Sequence, residues 1–141
     1  MKEANEMEQQ MIEKLVLAAT AARENAIASF SNYMVGAALL SADGRVFTGC
    51  NIESSVMAPS LCAERVAIAK AISEGVTDFL AIAVVGAKRG ERPDIPCFPC
   101  GICRQVLSEY VSIQDFSVYV VEGGEAKRFA LSELLPHSFS L

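Results

Sequence analysis

Three cysteines constrain the fold of this chain more than any other feature, because thiols that share one metal ion have to meet at one point. Cys100 and Cys103 form a tight Cys-x-x-Cys pair, and Cys62 comes from elsewhere in the sequence. Three thiolates bound to zinc leave one position of its tetrahedral coordination open. Glu64 follows Cys62 by two residues and could move the protons of a water at that position. The pattern predicts a catalytic zinc site.

Local sequence predicts that these cysteines lie at the starts of two helices. The segment Ala63 to Glu74 is rich in helix formers and stops at Gly75, which is typical of a helix C-terminus. A second helix is predicted over Cys100 to Tyr110. Cysteines three apart on a helical turn point to the same side, and a helix N-terminus favours the thiolate over the thiol. The two helix starts and Arg65 would supply positive charge beside three thiolates.

The rest of the chain alternates between helix and strand patterns. Apolar residues that recur at steps of three to five between Glu6 and Ser29 predict an amphipathic helix. β-Prone stretches on both sides of Asp43-Gly44 predict an antiparallel hairpin. The predicted strands are Met34 to Ser41, Val46 to Asn51, Phe79 to Val85, Ser117 to Val121 and Lys127 to Ala130, and a last short helix is predicted over Leu131 to Leu135.

The order of these elements, αββαβαββα, indicates the fold class. Phe79 to Val85 is a continuous apolar run, typical of a strand that is covered on both faces. A strand, a helix and a strand around Cys100 predict a parallel, right-handed crossover. We therefore expect an α/β fold in which a mixed sheet has helices on its faces. A length of 141 residues with 52% hydrophobic residues suits one compact domain over residues 1–141.

Composition and charge argue against several classes of function. The net charge of -5 disfavours general nucleic-acid binding, which needs a surface that neutralises phosphates. No apolar run approaches the roughly 20 residues that cross a bilayer, and the polar, acidic start does not resemble a secretory signal. We expect a cytoplasmic protein with reduced cysteines. His137 is the only histidine, so a site of several histidines is excluded. A small, weakly charged ligand is favoured.

Other uses of the cysteines compete with an open zinc site. Cys97 could join the other three in a closed structural zinc site with four thiolates. Its spacing to the Cys-x-x-Cys pair also matches the start of a ferredoxin iron–sulfur run, but the fourth position of that run is Leu107. A thiol–disulfide function of the pair would leave Glu64 without a role. Cys50 lies on a predicted strand, where cysteine is usually a small buried hydrophobe.

Two motifs carry a resemblance to a known family. Cys62-Ala63-Glu64-Arg65, followed by Pro99-Cys100-Gly101-Ile102-Cys103-Arg104-Gln105-Val106, matches the zinc deaminase signature and resembles the cytidine deaminase family. Further motifs of that family occur in register at Val35 to Leu39, Gly49 to Glu53 and Leu134 to Pro136. The resemblance covers roughly Phe30 to Phe139. It implies a three-layer α/β fold, with a mixed five-stranded sheet flanked by helices, and a homotetramer.

The resemblance also implies roles for the residues of the metal site. Cys62, Cys100 and Cys103 would be the ligands of a Zn²⁺ cofactor. Glu64 would be the catalytic proton shuttle. Arg65 would hydrogen-bond the ligand sulfurs, an interaction that tunes the metal from outside its ligand set.

Substrate-binding residues are implied in the same way. Asn51 and Glu53 would hydrogen-bond the ribose hydroxyls. Tyr33, in the place of a family aromatic that is usually Phe, would pack on the base, and Ala63 would also contact the substrate. Phe139 lies where a C-terminal aromatic of these tetramers reaches into a neighbour's active site.

The implied reaction is the hydrolytic deamination of cytidine or deoxycytidine to uridine or deoxyuridine, with ammonia release, as in pyrimidine salvage. The chain departs from the family near the substrate. Ser54 stands where the family commonly has asparagine, and Met57 stands where it has tyrosine. Ser29-Phe30-Ser31 replaces the usual Pro-Tyr-Ser. A modified cytosine nucleoside, such as the antibiotic blasticidin S, is therefore an alternative substrate.

Overall fold

The computed structural model describes residues 1–141 and contains four helices and five strands in the predicted order. The helices are α1 (Lys2–Arg23), α2 (Ala63–Ser73), α3 (Gly101–Ser108) and α4 (Leu131–Leu134). The strands are β1 (Tyr33–Ser41), β2 (Val46–Cys50), β3 (Phe79–Lys88), β4 (Ser117–Glu122) and β5 (Glu125–Ala130). No helix is both long and apolar enough to cross a bilayer.

The five strands form one mixed sheet in the order β2-β1-β3-β4-β5. β1 pairs antiparallel with β2 and with β3, and β4 pairs antiparallel with β5. β3 and β4 are parallel, and α3 connects them. The predicted parallel crossover around Cys100 and the predicted mixed sheet are both confirmed.

A hydrophobic core on each face of the sheet gives the fold three layers. Ile82 and Val84 of β3 belong to the core that α2 and α3 cover. Ala83 and Val85, which point to the opposite face because strand side chains alternate, belong to the core that α1 covers. β3 is thus buried on both faces, as its continuous apolar run predicts. The three-layer α/β fold is confirmed.

Two glycines let helix backbones touch the sheet. A Cβ atom on Gly36 of β1 would lie 1.9 Å from the carbonyl oxygen of Ala19 in α1. A Cβ atom on Gly49 of β2 would lie 2.3 Å from the carbonyl oxygen of Ala63 in α2. Since neither distance allows a carbon atom, only glycine fits at these crossings. Gly49 therefore helps to fix the start of α2, where Cys62 lies.

The first helix differs from its prediction, which ran from Glu6 to Ser29. It begins earlier and ends at Arg23. The buried Arg23 guanidinium donates hydrogen bonds to the carbonyl oxygens of Met34 and Ala87, each at 3.0 Å. These acceptors belong to β1 and β3, so tertiary contacts that apolar periodicity does not reveal hold the end of α1. The other predicted boundaries match the observed ones or differ from them by at most three residues.

Candidate active site

The three predicted metal-binding sulfurs come together at the starts of α2 and α3. Cys62 and Cys100 are the residues that directly precede the two helices, and Cys103 lies in the first turn of α3. The Sγ atom of Cys100 is 3.8 Å from that of Cys62 and 3.6 Å from that of Cys103, and all three lie within 4.8 Å of one another. Two zinc–sulfur bonds of about 2.3 Å at a tetrahedral angle span about 3.8 Å. This sulfur cluster is therefore the right size for one tetrahedral metal ion.

The sulfur cluster favours negative charge on Cys62. A hydrogen bond from Cys103, helped by hydrogen bonds from Arg65 and Cys100, lowers the pKa of the Cys62 thiol to about 5. The pKa of Cys103 is raised, first because it holds the proton that it shares with Cys62 and second because it is buried. A thiolate is the form of cysteine that binds metals. The cluster thus favours the form of Cys62 that binds a metal.

Arg65 supplies positive charge to the sulfur cluster. Its Nη2 atom donates to the Sγ atom of Cys62 at 3.5 Å and to the carbonyl oxygen of Ser60 at 3.2 Å. Its Nε atom is buried and has no hydrogen-bond partner. A buried donor without an acceptor is unfavourable, so this side chain is suited to a cluster that carries more negative charge, as three thiolates would.

Glu64 is a buried carboxyl group beside the sulfur cluster. It lies in the first turn of α2 and is only 4% exposed. Burial raises the pKa of Glu64 to about 7, and the Cys62 thiolate contributes to the rise. A carboxyl group with this pKa can accept and release a proton near neutral pH, which is the property that a general acid–base catalyst needs.

Two adjoining cavities reach the sulfur cluster. The inner cavity, of about 160 Å³, is lined by Val35, Asn51, Cys62, Glu64, Cys97 and Phe98, among others. The outer cavity, of about 450 Å³, is lined by Phe30, Ser31, Asn51, Glu53, Met57 and Arg65, among others. Asn51 and Cys62 border both cavities. Sites for small organic ligands measure about 300–1,000 Å³, so the inner cavity suits one ring and the outer cavity suits a larger group attached to that ring.

The two residues expected to bind ribose both face the outer cavity. The Asn51 side chain accepts a hydrogen bond from the Val35 amide and donates one to the Tyr33 carbonyl oxygen, each at 2.8 Å. These bonds orient its amide and leave one donor and one acceptor position available. Glu53 accepts bonds from the backbone of the preceding loop and from Ser31, and these bonds lower its pKa, with the Ser31 hydroxyl making the largest contribution. Its carboxylate is therefore ionised.

Tyr33 borders neither cavity. Its ring and the Cys97 thiol meet over Gly86, where an added Cβ atom would lie 2.9 Å from Cε1 of Tyr33 and 2.8 Å from Sγ of Cys97. Burial, followed by the neighbouring Cys97, raises the pKa of Tyr33 to about 12. The aromatic residues that border the cavities are instead Phe30 and Phe98. Packing of Tyr33 on a base stays a prediction.

Phe98 is a cavity residue that the sequence analysis did not select. It lines the inner cavity, and its ring meets that of Phe129 on β5 edge to face, with 5.2 Å between centroids. The sequence did contain one indication that Phe98 lies near the site, because it directly precedes Pro99 and Cys100.

Cys97 does not belong to the sulfur cluster, although it lines the inner cavity. Burial, and then the charge of Glu64, raise the pKa of its thiol to about 11. Cys97 is therefore a neutral thiol at physiological pH. This arrangement does not favour a closed site with four thiolates. Cys50 is partly buried and packs against a small cluster of Ala26, Ala28 and Met34.

The C-terminal tail is attached to α3. The Gln105 side chain donates to the carbonyl oxygen of Phe139 at 3.0 Å, and Arg104 donates to the carbonyl oxygen of Leu134 at 2.7 Å. The side chain of Phe139 is 66% exposed. The helix that carries Cys103 thus also holds the tail, and the tail presents an aromatic ring to solvent.

Comparisons with known proteins identify the family of the chain. A family model described as "Cytidine and deoxycytidylate deaminase zinc-binding region" matches residues 8–120. The chain is 42% identical to a cytidine deaminase of Sporosarcina psychrophila over 92% of this chain and 91% of the relative. It is 43% identical to a cytidine deaminase of Halalkalibacterium halodurans over 95% of this chain and 96% of that relative. The crystal structure of cytidine deaminase from Burkholderia pseudomallei superposes with a TM-score of 0.80 at 42% identity, covering 90% of this chain and 98% of that one.

Proposed function

We propose that this chain, which belongs to the cytidine and deoxycytidylate deaminase family, hydrolyses the exocyclic amine of cytidine or deoxycytidine. The products are uridine or deoxyuridine and ammonia. The observation that carries the proposal is the convergence of three cysteine sulfurs at the end of a cavity that is also lined by a buried carboxyl group with a pKa of about 7. The proposed deaminase domain comprises residues 1–141.

Zinc is the metal that we propose for the sulfur cluster. Cys62, Cys100 and Cys103 would hold it, since their spacing suits tetrahedral coordination and the cluster lowers the pKa of Cys62. When bound, zinc supplies Lewis-acid activation of a water molecule. Arg65, which already donates to the Sγ atom of Cys62, would offset part of the negative charge of three ionised sulfurs.

Glu64 carries the proton transfers of the proposed reaction. Its carboxylate takes a proton from the attacking water while the C4–O bond forms, and it passes that proton to ring N3. A second proton, from the C4 hydroxyl, then moves through Glu64 to the amine, the C4–N bond breaks, and ammonia leaves. Its pKa of about 7 suits both directions of transfer, and general acid–base help of this kind contributes about 10²–10⁴-fold.

The charges around the outer cavity support a nucleoside rather than a nucleotide as the substrate. The charged residues of its lining are Glu53 and Arg65. Glu53 is ionised, because hydrogen bonds lower its pKa, and Arg65 donates to Cys62. A 5′-phosphate would meet a carboxylate there, and the one cation uses its Nη2 atom to bond to Cys62 and Ser60 while its Nε atom is buried. Asn51 and Glu53 would instead bind the uncharged ribose hydroxyls.

A modified cytosine nucleoside is the second candidate substrate. Met57, which stands where the family commonly has tyrosine, is 76% exposed and borders the outer cavity together with Phe30 and Ile102. This lining is more apolar than a phenol would make it. Because the hydroxyl that a tyrosine would offer to an ordinary nucleoside is absent here, the lining favours a substrate that differs from cytidine in the group that occupies the outer cavity.

A homotetramer in the cytoplasm is the proposed working form. Several exposed apolar side chains lie around the outer cavity and on the tail, among them Phe30, Met57, Ile102 and Phe139. Exposed apolar side chains that lie together often mark an interaction surface, whereas single exposed apolar residues are common on any protein. Five cysteines without a disulfide suit a reducing compartment.

A substrate panel tests the proposed function. The zinc-loaded protein is incubated with cytidine, deoxycytidine, free cytosine, deoxycytidine monophosphate and blasticidin S, and ammonia and the deaminated product are measured. We expect turnover of cytidine or deoxycytidine and little of the monophosphate. Turnover of blasticidin S alone would establish the second candidate, and no turnover of any compound would refute both.

A further inference from the structure

A short loop before β1 holds the carboxylate of Glu53. The Oε1 atom of Glu53 accepts hydrogen bonds from the backbone amides of Phe30, at 2.9 Å, and Ser31, at 3.0 Å. The Oε2 atom accepts a bond from the Ser31 hydroxyl. Three donors from two consecutive residues thus converge on one carboxylate that faces the outer cavity.

The Ser31 hydroxyl connects Glu53 to Asn51, the other residue expected to bind ribose. It donates to Glu53 and accepts a bond from the Tyr33 amide at 3.0 Å. The carbonyl oxygen of Tyr33 accepts in turn from the Asn51 side chain at 2.8 Å. One hydroxyl therefore orients Glu53 and also takes part in the hydrogen-bonded segment that orients Asn51.

The loop itself is held in place by the residue after Ser31. Asn32 has a φ of 59°, a left-handed conformation that asparagine tolerates better than most residues. Its amide donates to the carbonyl oxygen of Ala28 at 2.9 Å, and its own carbonyl oxygen accepts from the amide of Arg89 at 2.9 Å. The donors of Phe30 and Ser31 are thus presented by a loop that is anchored at both ends.

The Glu53 carboxylate has few positions left at which it can accept a hydrogen bond from a ligand. A carboxylate offers about four lone-pair positions, and the loop occupies three of those of Glu53. The remaining position is on Oε2, the atom that the Ser31 hydroxyl holds. If this hydroxyl were absent, nothing else in the chain would hold Oε2, since no other donor contacts it.

We propose that Ser31 is a positioning residue for nucleoside recognition, because its hydroxyl holds Oε2 of Glu53 where that oxygen accepts a hydrogen bond from a ribose hydroxyl. This inference rests on the proposed function. A residue that only stabilised the loop would affect all ligands alike. A positioning residue affects ligands that carry ribose hydroxyls and leaves ligands without them unchanged.

The variants Ser31→Ala and Ser31→Thr separate these two roles, with Ser29→Ala as the matched control. Ser29 is exposed and lies in the same loop. KM and kcat are measured for cytidine and for 2′,3′-dideoxycytidine. For Ser31→Ala we expect KM for cytidine to rise about 10-fold, the size of one hydrogen bond to a charged group. We expect kcat to change less than about 3-fold, because the lost contact binds ground state and transition state alike.

The dideoxy substrate decides the outcome. The Ser31→Ala variant should process 2′,3′-dideoxycytidine as well as the parent protein does, Ser31→Thr should restore the KM for cytidine, and Ser29→Ala should match the parent. Equal losses on both substrates, or no loss on cytidine, would overturn the proposal.

Binding of the reaction products tests the role of Ser31 even if the proposed catalytic function fails. Calorimetry measures the affinity of the parent and the Ser31→Ala variant for uridine and for 2′,3′-dideoxyuridine. If the parent turns over no nucleoside, the proposed function fails, yet a uridine preference that Ser31→Ala abolishes would still support the role of Ser31. A parent protein that binds both products equally would overturn it.

Discussion

Glu64 differs from the exposed carboxylates of this chain because folding has removed it from water. It is 4% exposed, and burial raises its pKa to about 7. Glu53, only two residues from Asn51, has the opposite environment, because hydrogen bonds lower its pKa. The two carboxyl groups of the cavities are therefore matched to different tasks: Glu64 can exchange a proton near neutral pH, whereas Glu53 stays an acceptor.

Replacing Glu64 with glutamine should stop proton transfer without disturbing the metal. Glu64→Gln keeps the shape of the side chain, and Glu64 is not one of the three clustered metal-binding groups. We expect about one zinc per chain by elemental analysis and a loss of kcat of about 10²–10⁴-fold. Glu8→Gln, an exposed position on α1, is the control and should match the parent. Unchanged turnover in Glu64→Gln would refute the role of Glu64.

Cys97 provides a test of how many sulfurs hold the metal. It is a neutral thiol with a pKa of about 11 and lies outside the sulfur cluster. Cys97→Ser should therefore retain zinc, whereas Cys103→Ser, which removes a buried sulfur of the cluster, should lose it. Zinc content per folded chain is the measurement. Zinc loss from Cys97→Ser would indicate a closed site with four thiolates and no place for a water.

The sequence predicted the two parts of the sulfur cluster from local signals, and it predicted their meeting from the deaminase motif that joins Cys62 to the Cys-x-x-Cys pair. The Cys-x-x-Cys spacing fixes two sulfurs on one helical turn, and the helix signals around Cys62 were strong. The contacts of the Tyr33 side chain could not be predicted from local sequence. Its contact with Cys97 depends on Gly86, a residue of another strand whose missing side chain makes room for both. Such a contact exists only after the sheet has formed.

The crossing of α2 over β2 positions the end of α2 at which Cys62 and Glu64 lie. Gly49 allows it, because a Cβ atom at this position would lie 2.3 Å from the carbonyl oxygen of Ala63 and 2.7 Å from the amide nitrogen of Ala67. Both are backbone atoms and cannot move by a change of rotamer. A side chain at Gly49 would therefore push α2 away from the sheet, and with it Cys62.

Gly49→Ala should weaken zinc binding, whereas Gly36→Ala should not. Both variants place a methyl group against a helix backbone, and overpacking typically destabilises by about 1–3 kcal/mol. Only Gly49 contacts the helix that carries Cys62 and Glu64. Denaturant unfolding measures the stability of both variants, and chelator competition measures their zinc affinity. Equal zinc affinity in two equally destabilised variants would contradict this role of Gly49.

The ends of elements were harder to predict than their order. Strand β3 runs to Lys88, three residues beyond its predicted end, because it pairs with Tyr33 at the start of β1. Helix α1 stops at Arg23, where the guanidinium finds carbonyl oxygens of two strands. In both cases a partner distant in sequence decides the boundary. The apolar periodicity that predicted the elements contains no information about such partners.

Metal removal should destabilise the molecule as a whole. The proposed ligands come from α2 and α3, which follow different strands in the chain, so zinc would link two separate parts of the core. A ligand present at about 1,000 times its Kd stabilises by about 4 kcal/mol. We expect a chelator to lower the melting temperature of the parent protein but not that of Cys100→Ser. An unchanged melting temperature in the chelated parent would argue against a tightly held metal.

The tail carries the clearest prediction about assembly. Phe139 is 66% exposed, and its backbone is attached to α3 by Gln105. A large exposed aromatic ring on an anchored segment is suited to contact another chain. If Phe139 completes the active site of a neighbouring subunit, then an active site needs Glu64 from one chain and Phe139 from another.

Mixed assemblies of two inactive variants test this requirement. Phe139→Ala and Glu64→Gln should each have low activity as pure assemblies. Coexpressed with two different tags and purified through both, they should regain activity, because some sites combine an intact Glu64 with the Phe139 of a Glu64→Gln neighbour. Sedimentation checks that the mixed species is a tetramer. A mixed assembly no more active than the average of its parents, or a monomeric protein with full activity, would show that each chain forms its site alone.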